Sequence, residues 1–137
     1  MKSFGKILSA NDTGETGGHQ AGILVPKGQV ELVEALPYLD PNVKNPDCWI
    51  NCIDEENEKW KFRYVYYNNK LHDEKGTRNE YRLTHMTKYF RSVAAKAGDM
   101  IVISVGDSNS LYQIRLEDQK TEKTAEPIRL KGWSRIH

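Results

Sequence analysis

Apolar positions along this chain fall in short runs separated by turn-forming residues. "FGKIL" (4–8) and "QAGILVP" (20–26) are two such runs, the second stopped by Pro26, and each predicts a strand. "KGQVELVEAL" (27–36) places Val30, Val33 and Leu36 near a helical repeat and predicts a short helix. "PYLDPNVKNPD" (37–47) carries Pro37, Pro41 and Pro46 and predicts a loop. "KWKFRYVYY" (59–67) alternates with period two, Trp60, Phe62, Tyr64 and Tyr66 on one side and Lys59, Lys61, Arg63, Val65 and Tyr67 on the other. With "CWINCID" (48–54) before it and "EENE" between them, it predicts a hairpin. "NNKLHDEKG" (68–76) reads as a loop, "TRNEYRLT" (77–84) as a strand or extended ribbon, and "MTKYFRSVAAKAG" (86–98) as a helix ending at Gly98. "DMIVISV" (99–105) and "LYQIRLE" (111–117) predict two more strands around "GDSNS". "DQKTEKTAE" is polar and exposed, and "PIRL" (127–130) is a last edge strand. Many short strands and two short helices make a β-rich domain, barrel-like or sandwich-like.

Composition narrows the class. At 137 residues, 38% hydrophobic and 28% charged, the chain suits one globular domain with one core. No apolar run approaches the roughly 20 residues of a membrane helix, and "MKSFGKILSAND" lacks the features of a secretory leader. A cytoplasmic domain is the expectation. Cys48 and Cys52 on one strand would stand roughly 13 Å apart, beyond disulfide reach, and no partner Cys or His pair sits at zinc-ligand spacing. Two buried or half-buried thiols are expected, and no metal site.

Charge is segregated. Residues 31–58 hold eight acids against Lys44 alone, and residues 59–91 hold nine bases against three acids. A fold that gathers the second segment on one face would present that face to a polyanion.

Two readings of the candidate chemistry compete. Pro46–Asp47 followed by Asp73–Glu74–Lys75 loosely matches a Mg²⁺-dependent nuclease pattern, with two carboxylates for the metal and a lysine near the attacking water. "GETGG" is not a phosphate loop, because no Lys-Ser/Thr follows it and it precedes a strand. The other reading is recognition. In "TRNEYR" an extended backbone puts Arg78, Glu80 and Arg82 on one face and Asn79 and Tyr81 on the other. Arginine donates twice to guanine, glutamate accepts from the cytosine amino group and asparagine pairs with adenine, so the row suits readout of base pairs in a major groove. It also suits a plain row of surface ion pairs. "SANDTGETGGHQ" (9–20) adds Asp12, Thr16, His19 and Gln20 on a glycine-rich connection twelve residues long, a length more typical of functional than of incidental loops.

"LSANDTGETGGHQAGILVP", "YYNNK" and "TRNEYR" together resemble the N-terminal effector domain of the EcoRII restriction endonuclease family. "KWKFRYVYYNN" and "AGDMIVI" are similar, more loosely, to plant transcription-factor DNA-binding domains of the same fold. The resemblance covers most of residues 6–105. It implies the DNA-binding pseudobarrel, an open seven-stranded β-barrel with two short helices. From that barrel an N-terminal arm (residues 9–20) and a C-terminal arm (residues 77–85) grip the major groove. Carried over by position, Asp12, Thr16, His19 and Gln20 belong to the first arm and Arg78, Asn79, Glu80 and Arg82 to the second, as base-reading residues. Arg78 and Arg82 would face guanine, and Glu80 and Asp12 cytosine. Lys6, Lys70, Lys75 and Lys88 are phosphate candidates from charge and position. Tyr81 stands where a basic residue is expected, and the connection before "TRNEYR" is longer than in the family. The resemblance further implies double-stranded DNA as partner, a CCWGG target bound as a monomer, and no catalysis and no cofactor in this domain. Mg²⁺ would serve only a separate, covalently attached nuclease domain. The rivals are an independent Mg²⁺ nuclease using Asp47, Asp73 and Lys75, a stand-alone transcription-factor-like regulator, and a protein- or sugar-binding β-domain.

Overall fold

A computed structural model describes residues 2–13, 22–106, 111–117 and 133–135. One sheet dominates it. Its strands are β1 (Lys2–Ile7), β2 (Ile23–Val25), β3 (Asp47–Ile53), β4 (Lys59–Tyr67), β5 (Glu80–Thr84), β6 (Met100–Val105), β7 (Tyr112–Glu117) and β8 (Trp133–Arg135). Four short helices lie between them: α1 (Ala10–Thr13), α2 (Val30–Ala35), α3 (Asn69–His72) and α4 (Thr87–Ser92). The strand order is β2-β5-β4-β3-β7-β6-β1-β8. Every pairing is antiparallel except β3 with β7. Among the described residues the two edges of the sheet meet where the buried Trp133 indole on β8 donates to the Leu24 carbonyl on β2 at 3.1 Å. The sheet is therefore an open barrel, clasped rather than sealed.

The alternation read from the chain decides what fills it. Phe62, Tyr64 and Tyr66 on β4 are buried, along with Ile50 and Cys52 on β3, Leu83 on β5, and Ile101 and Ile103 on β6. The β3–β4 hairpin forms as expected, with Ile50 opposite Phe62. Its turn is closed by Asp54, whose Oδ1 accepts from the backbone N–H groups of Glu56 and Glu58, both at 2.9 Å. Leu32 from α2, Leu36 just after it, and Tyr89 and Phe90 from α4 cover the barrel.

Eight strands and four helices are described where seven and two were expected. α1 and α3 fall in stretches read as connections, and α4 is half the length that its helix-forming run "SVAAKAG" suggested. Ala94 turns at φ 54°, and Gly98 N–H and Leu8 N–H then exchange bonds with the Leu8 and Asp99 carbonyls at 2.9 and 2.8 Å. The need to rejoin β1 outweighs local helix propensity there. The "PIRL" edge strand lies outside the described residues. Cys48 and Cys52 are both on β3 and both free.

Candidate nucleic-acid interface

The segment expected to form the N-terminal arm starts where β1 ends. Ser9 Oγ accepts from Asp12 N–H at 3.1 Å, and Asp12 Oδ2 accepts from Ser9 N–H at 3.0 Å. This reciprocal pair is a capping box and explains why α1 forms here. Asp12 Oδ2 also meets Lys6 Nζ at 2.6 Å, and both side chains are about nine-tenths buried. Asp12 and Lys6 had been expected to face DNA. The structure instead turns them inward on each other, because a buried charge needs its counter-ion. Thr16, His19 and Gln20 lie outside the described residues. At the entry to β2 Gly22 adopts φ +84°, and a Cβ there would stand 2.2 Å from the Leu83 carbonyl oxygen, so only glycine lets the chain enter β2 this close to β5.

The segment expected to form the C-terminal arm is tied down at its base. Buried Asn68 accepts Asn45 N–H at 2.7 Å and donates to the carbonyls of Val43 and Pro41 at 2.9 and 3.2 Å. Asn69 Oδ1 accepts Arg78 N–H at 2.8 Å, and Lys70 N–H donates to the Arg78 carbonyl at 3.0 Å. The "YYNN" asparagines thus build the loop rather than its tip. Lys70 and Lys75 are exposed on it, as is Lys88 on α4.

Arg78, Glu80 and Arg82 come together as the alternation required. Glu80 Oε2 accepts Arg78 Nη2 at 2.8 Å and Arg82 Nε at 2.6 Å. Burial alone would raise the Glu80 carboxyl pKa, but the hydrogen bonds from both guanidinium groups outweigh it and hold the group below the ordinary glutamate value. Arg82 also donates to the Gly22 carbonyl at 3.2 Å, so β5 touches the backbone that leads into β2. Arg78 lies over the Tyr67 ring, 3.9 Å from its centroid. Asn79 Oδ1 accepts Tyr66 OH at 2.5 Å and Lys27 Nζ at 2.7 Å. Tyr81 stacks on Tyr66 at 4.3 Å and 6°, so packing occupies the position where a basic residue was expected.

Sequence reasoning missed the continuation of this row. Tyr67 interacts with Arg63, whose Nε donates to Asp47 Oδ2 at 2.6 Å. Beside them an open cleft of about 530 Å³ is lined by Trp49, Lys61, Arg63, Tyr67, His85 and Lys88, with Thr84 and Thr87. The outward half of the β4 alternation, Lys61–Arg63–Tyr67, was its legible signal. Asp73, by contrast, pairs with Lys44 at 2.7 Å while Asp47 is held by Arg63. Among the described residues no three His, Cys, Asp or Glu side chains converge as a metal site would require.

The family model described as "Restriction endonuclease EcoRII, N-terminal" matches residues 1–119. The chain belongs to that family. The type II restriction enzyme EcoRII of Escherichia coli is 33% identical over 122 residues, 83% of this chain and 26% of that enzyme. A putative auxin response factor 21 of Arabidopsis thaliana is 32% identical over 112 residues, 81% of this chain and 16% of that protein. This EcoRII N-terminal family member thus spans about a quarter or less of the curated relatives it matches. Among solved structures, an Arabidopsis FUS3–DNA complex aligns with TM-score 0.63 at 21% identity, over 86% of this chain and 98% of that one. The B3 domain of UbaLAI restriction endonuclease with cognate DNA aligns with TM-score 0.59 at 17% identity, over 98% and 85%. At such identities the likeness is one of fold, and it places the barrel among the DNA-binding pseudobarrels. No helix among the described residues is long and apolar enough to cross a membrane.

Proposed function

We propose that this domain recognises a short duplex DNA sequence through the major groove, as the non-catalytic effector domain of a type II restriction endonuclease. The observation that carries the reading is the Arg78–Glu80–Arg82 fork, seated beside the root of the other arm through Gly22. Glu80 sets both guanidinium groups in place, and their remaining N–H donors are free to meet guanine edges while Glu80 accepts from cytosine. Residues 9–20 and 77–85 form the two arms, and Thr16, His19, Gln20 and Asn79 supply further base contacts. Lys70, Lys75 and Lys88 meet phosphates. Asp12 and Lys6 act from below, by fixing where the first arm starts. The target is CCWGG, bound by one copy of the domain in the cytoplasm, with no cofactor here and Mg²⁺ required only by an attached nuclease domain.

Gel-shift selection from a randomised duplex pool tests this. Enrichment of one short motif is the expected result. Arg78→Ala should then cost ~1–3 kcal/mol on that motif and relax one base pair. Equal loss on scrambled DNA would reduce Arg78 to a backbone contact. The second reading is a stand-alone regulator of the same fold, favoured by the match to a putative auxin response factor. A nuclease region encoded in frame with this domain decides between them.

A further inference from the structure

Beyond the Arg78–Glu80–Arg82 fork, the outer face of β3 and β4 meets the end of β5 and α4 in a built surface on which only Lys88 has so far been given a role. Trp49 is 50% exposed, an unusual position for the largest side chain. Its ring meets His85 edge-on at 4.9 Å. His85 holds φ 66°, in the left-handed region that side chains other than glycine rarely adopt, and its Nδ1 is 2.9 Å from Thr84 Oγ1. A strained backbone therefore keeps an imidazole beside an exposed indole. Lys61 and Lys88 line the same cleft, are exposed, and form no ion pair among the described residues. The nearby acid, Asp47, is neutralised by Arg63. Tyr67 belongs both to this cleft and, under Arg78, to the C-terminal arm.

We propose that this cleft is a second contact site, which takes the sugar–phosphate backbone of the DNA that the arms read. Apolar faces of deoxyribose pack on aromatic rings, and two unpaired ammonium groups beside them meet phosphate oxygens. The cleft is continuous with the arm row through Tyr67, so one strand leaving the fork can run along it. An apolar ligand would not need the lysines, and an open, cationic cleft does not enclose a small molecule. The inference rests on the DNA-recognition reading and adds to it a sequence-independent hold on the β3–β4 side.

The test compares the unaltered domain with Lys61→Ala/Lys88→Ala, Trp49→Phe and, as a distant charge control, Lys96→Ala. Fluorescence anisotropy measures binding to a labelled duplex bearing the pool-selected sequence and to a scrambled duplex, across salt. The double variant should weaken both duplexes alike, on the order of tenfold, and reduce the slope of log K against log salt by about two. Lys96→Ala should change neither. DNA should quench tryptophan emission of the unaltered domain, and Trp49→Phe should remove most of that change. A double variant no weaker than Lys96→Ala, or one weakened only on the selected sequence, would overturn the cleft while Arg78-sensitive binding stands. No salt-dependent duplex binding by the unaltered domain would overturn both.

Discussion

Asp12 shows how one residue changes meaning between chain and fold. By position it belongs to a polar arm, yet its carboxylate caps α1 and neutralises buried Lys6. Asp12→Ala leaves that buried ammonium without its counter-ion, with only the Ile7 carbonyl at 3.3 Å to accept from it, which costs about 3–5 kcal/mol. Thermal unfolding should show the loss without DNA present. A variant as stable as its parent that misreads one base pair would return Asp12 to direct contact. Glu80 makes a different prediction. Its folded pKa lies below the ordinary value of 4.5 because of Arg78 and Arg82, despite burial. Its contribution is therefore present above that value and is lost as pH falls through the range below it. Glu80→Gln should be less stable than the parent at neutral pH, and the gap should close in acid. Melting temperatures of both proteins across that range check it, and a gap that persists in acid would sink the account.

At the scale of elements, β3 tests the strand reading most simply. Cys48 and Cys52 lie on one strand as the spacing required, too far apart to bond. Burial pushes the Cys52 thiol up to about 12, and burial followed by the Asp47 charge raises half-buried Cys48. A thiol reagent near neutral pH should therefore modify Cys48 slowly and Cys52 only after denaturant unfolds the barrel. Prompt reaction of both native thiols would mean that β3 is not where the register puts it. β5 teaches a similar lesson. Its outward fork was legible because alternation puts Arg82 and Glu80 on one face. The Tyr81–Tyr66 stack on the other face was not, since it depends on which strand lies alongside.

For the whole molecule the decisive feature is closure. The sheet begins at β2 and ends at β8, and among the described residues the Trp133–Leu24 hydrogen bond joins its edges. Trp133→Phe should cost ~1 kcal/mol for the lost bond, and Trp133→Ala roughly 3–5 kcal/mol for the lost packing. Denaturant unfolding measures both, and an unaffected Ala variant would mean that β8 is dispensable to the barrel. Charge is also arranged at this scale. Glu55 and Asp54 sit at the β3–β4 turn beside a separate hollow of about 210 Å³, apart from the cleft of Lys61 and Lys88. The turn acids of the preceding acidic run thus lie apart from that cleft, and Asp47, the member of the run beside it, is paired with Arg63.

Periodicity by itself determined the hairpin, the inward faces of β4 and β5, and the gathering of Arg78, Glu80 and Arg82. Alternation is a local property of extended backbone, and it survives any choice of neighbours. The motifs in residues 8–22 and 77–82 likewise determined the family. Only the tertiary structure decided that Asp12 and Lys6 face inward, that Arg82 reaches Gly22, and that Trp49, His85 and Lys88 share one cleft with Tyr67. Each of those contacts joins residues from different elements. The Asp12–Lys6 pair is set by how α1 folds back on β1, and the other contacts by strand order, which no pattern within a single segment encodes.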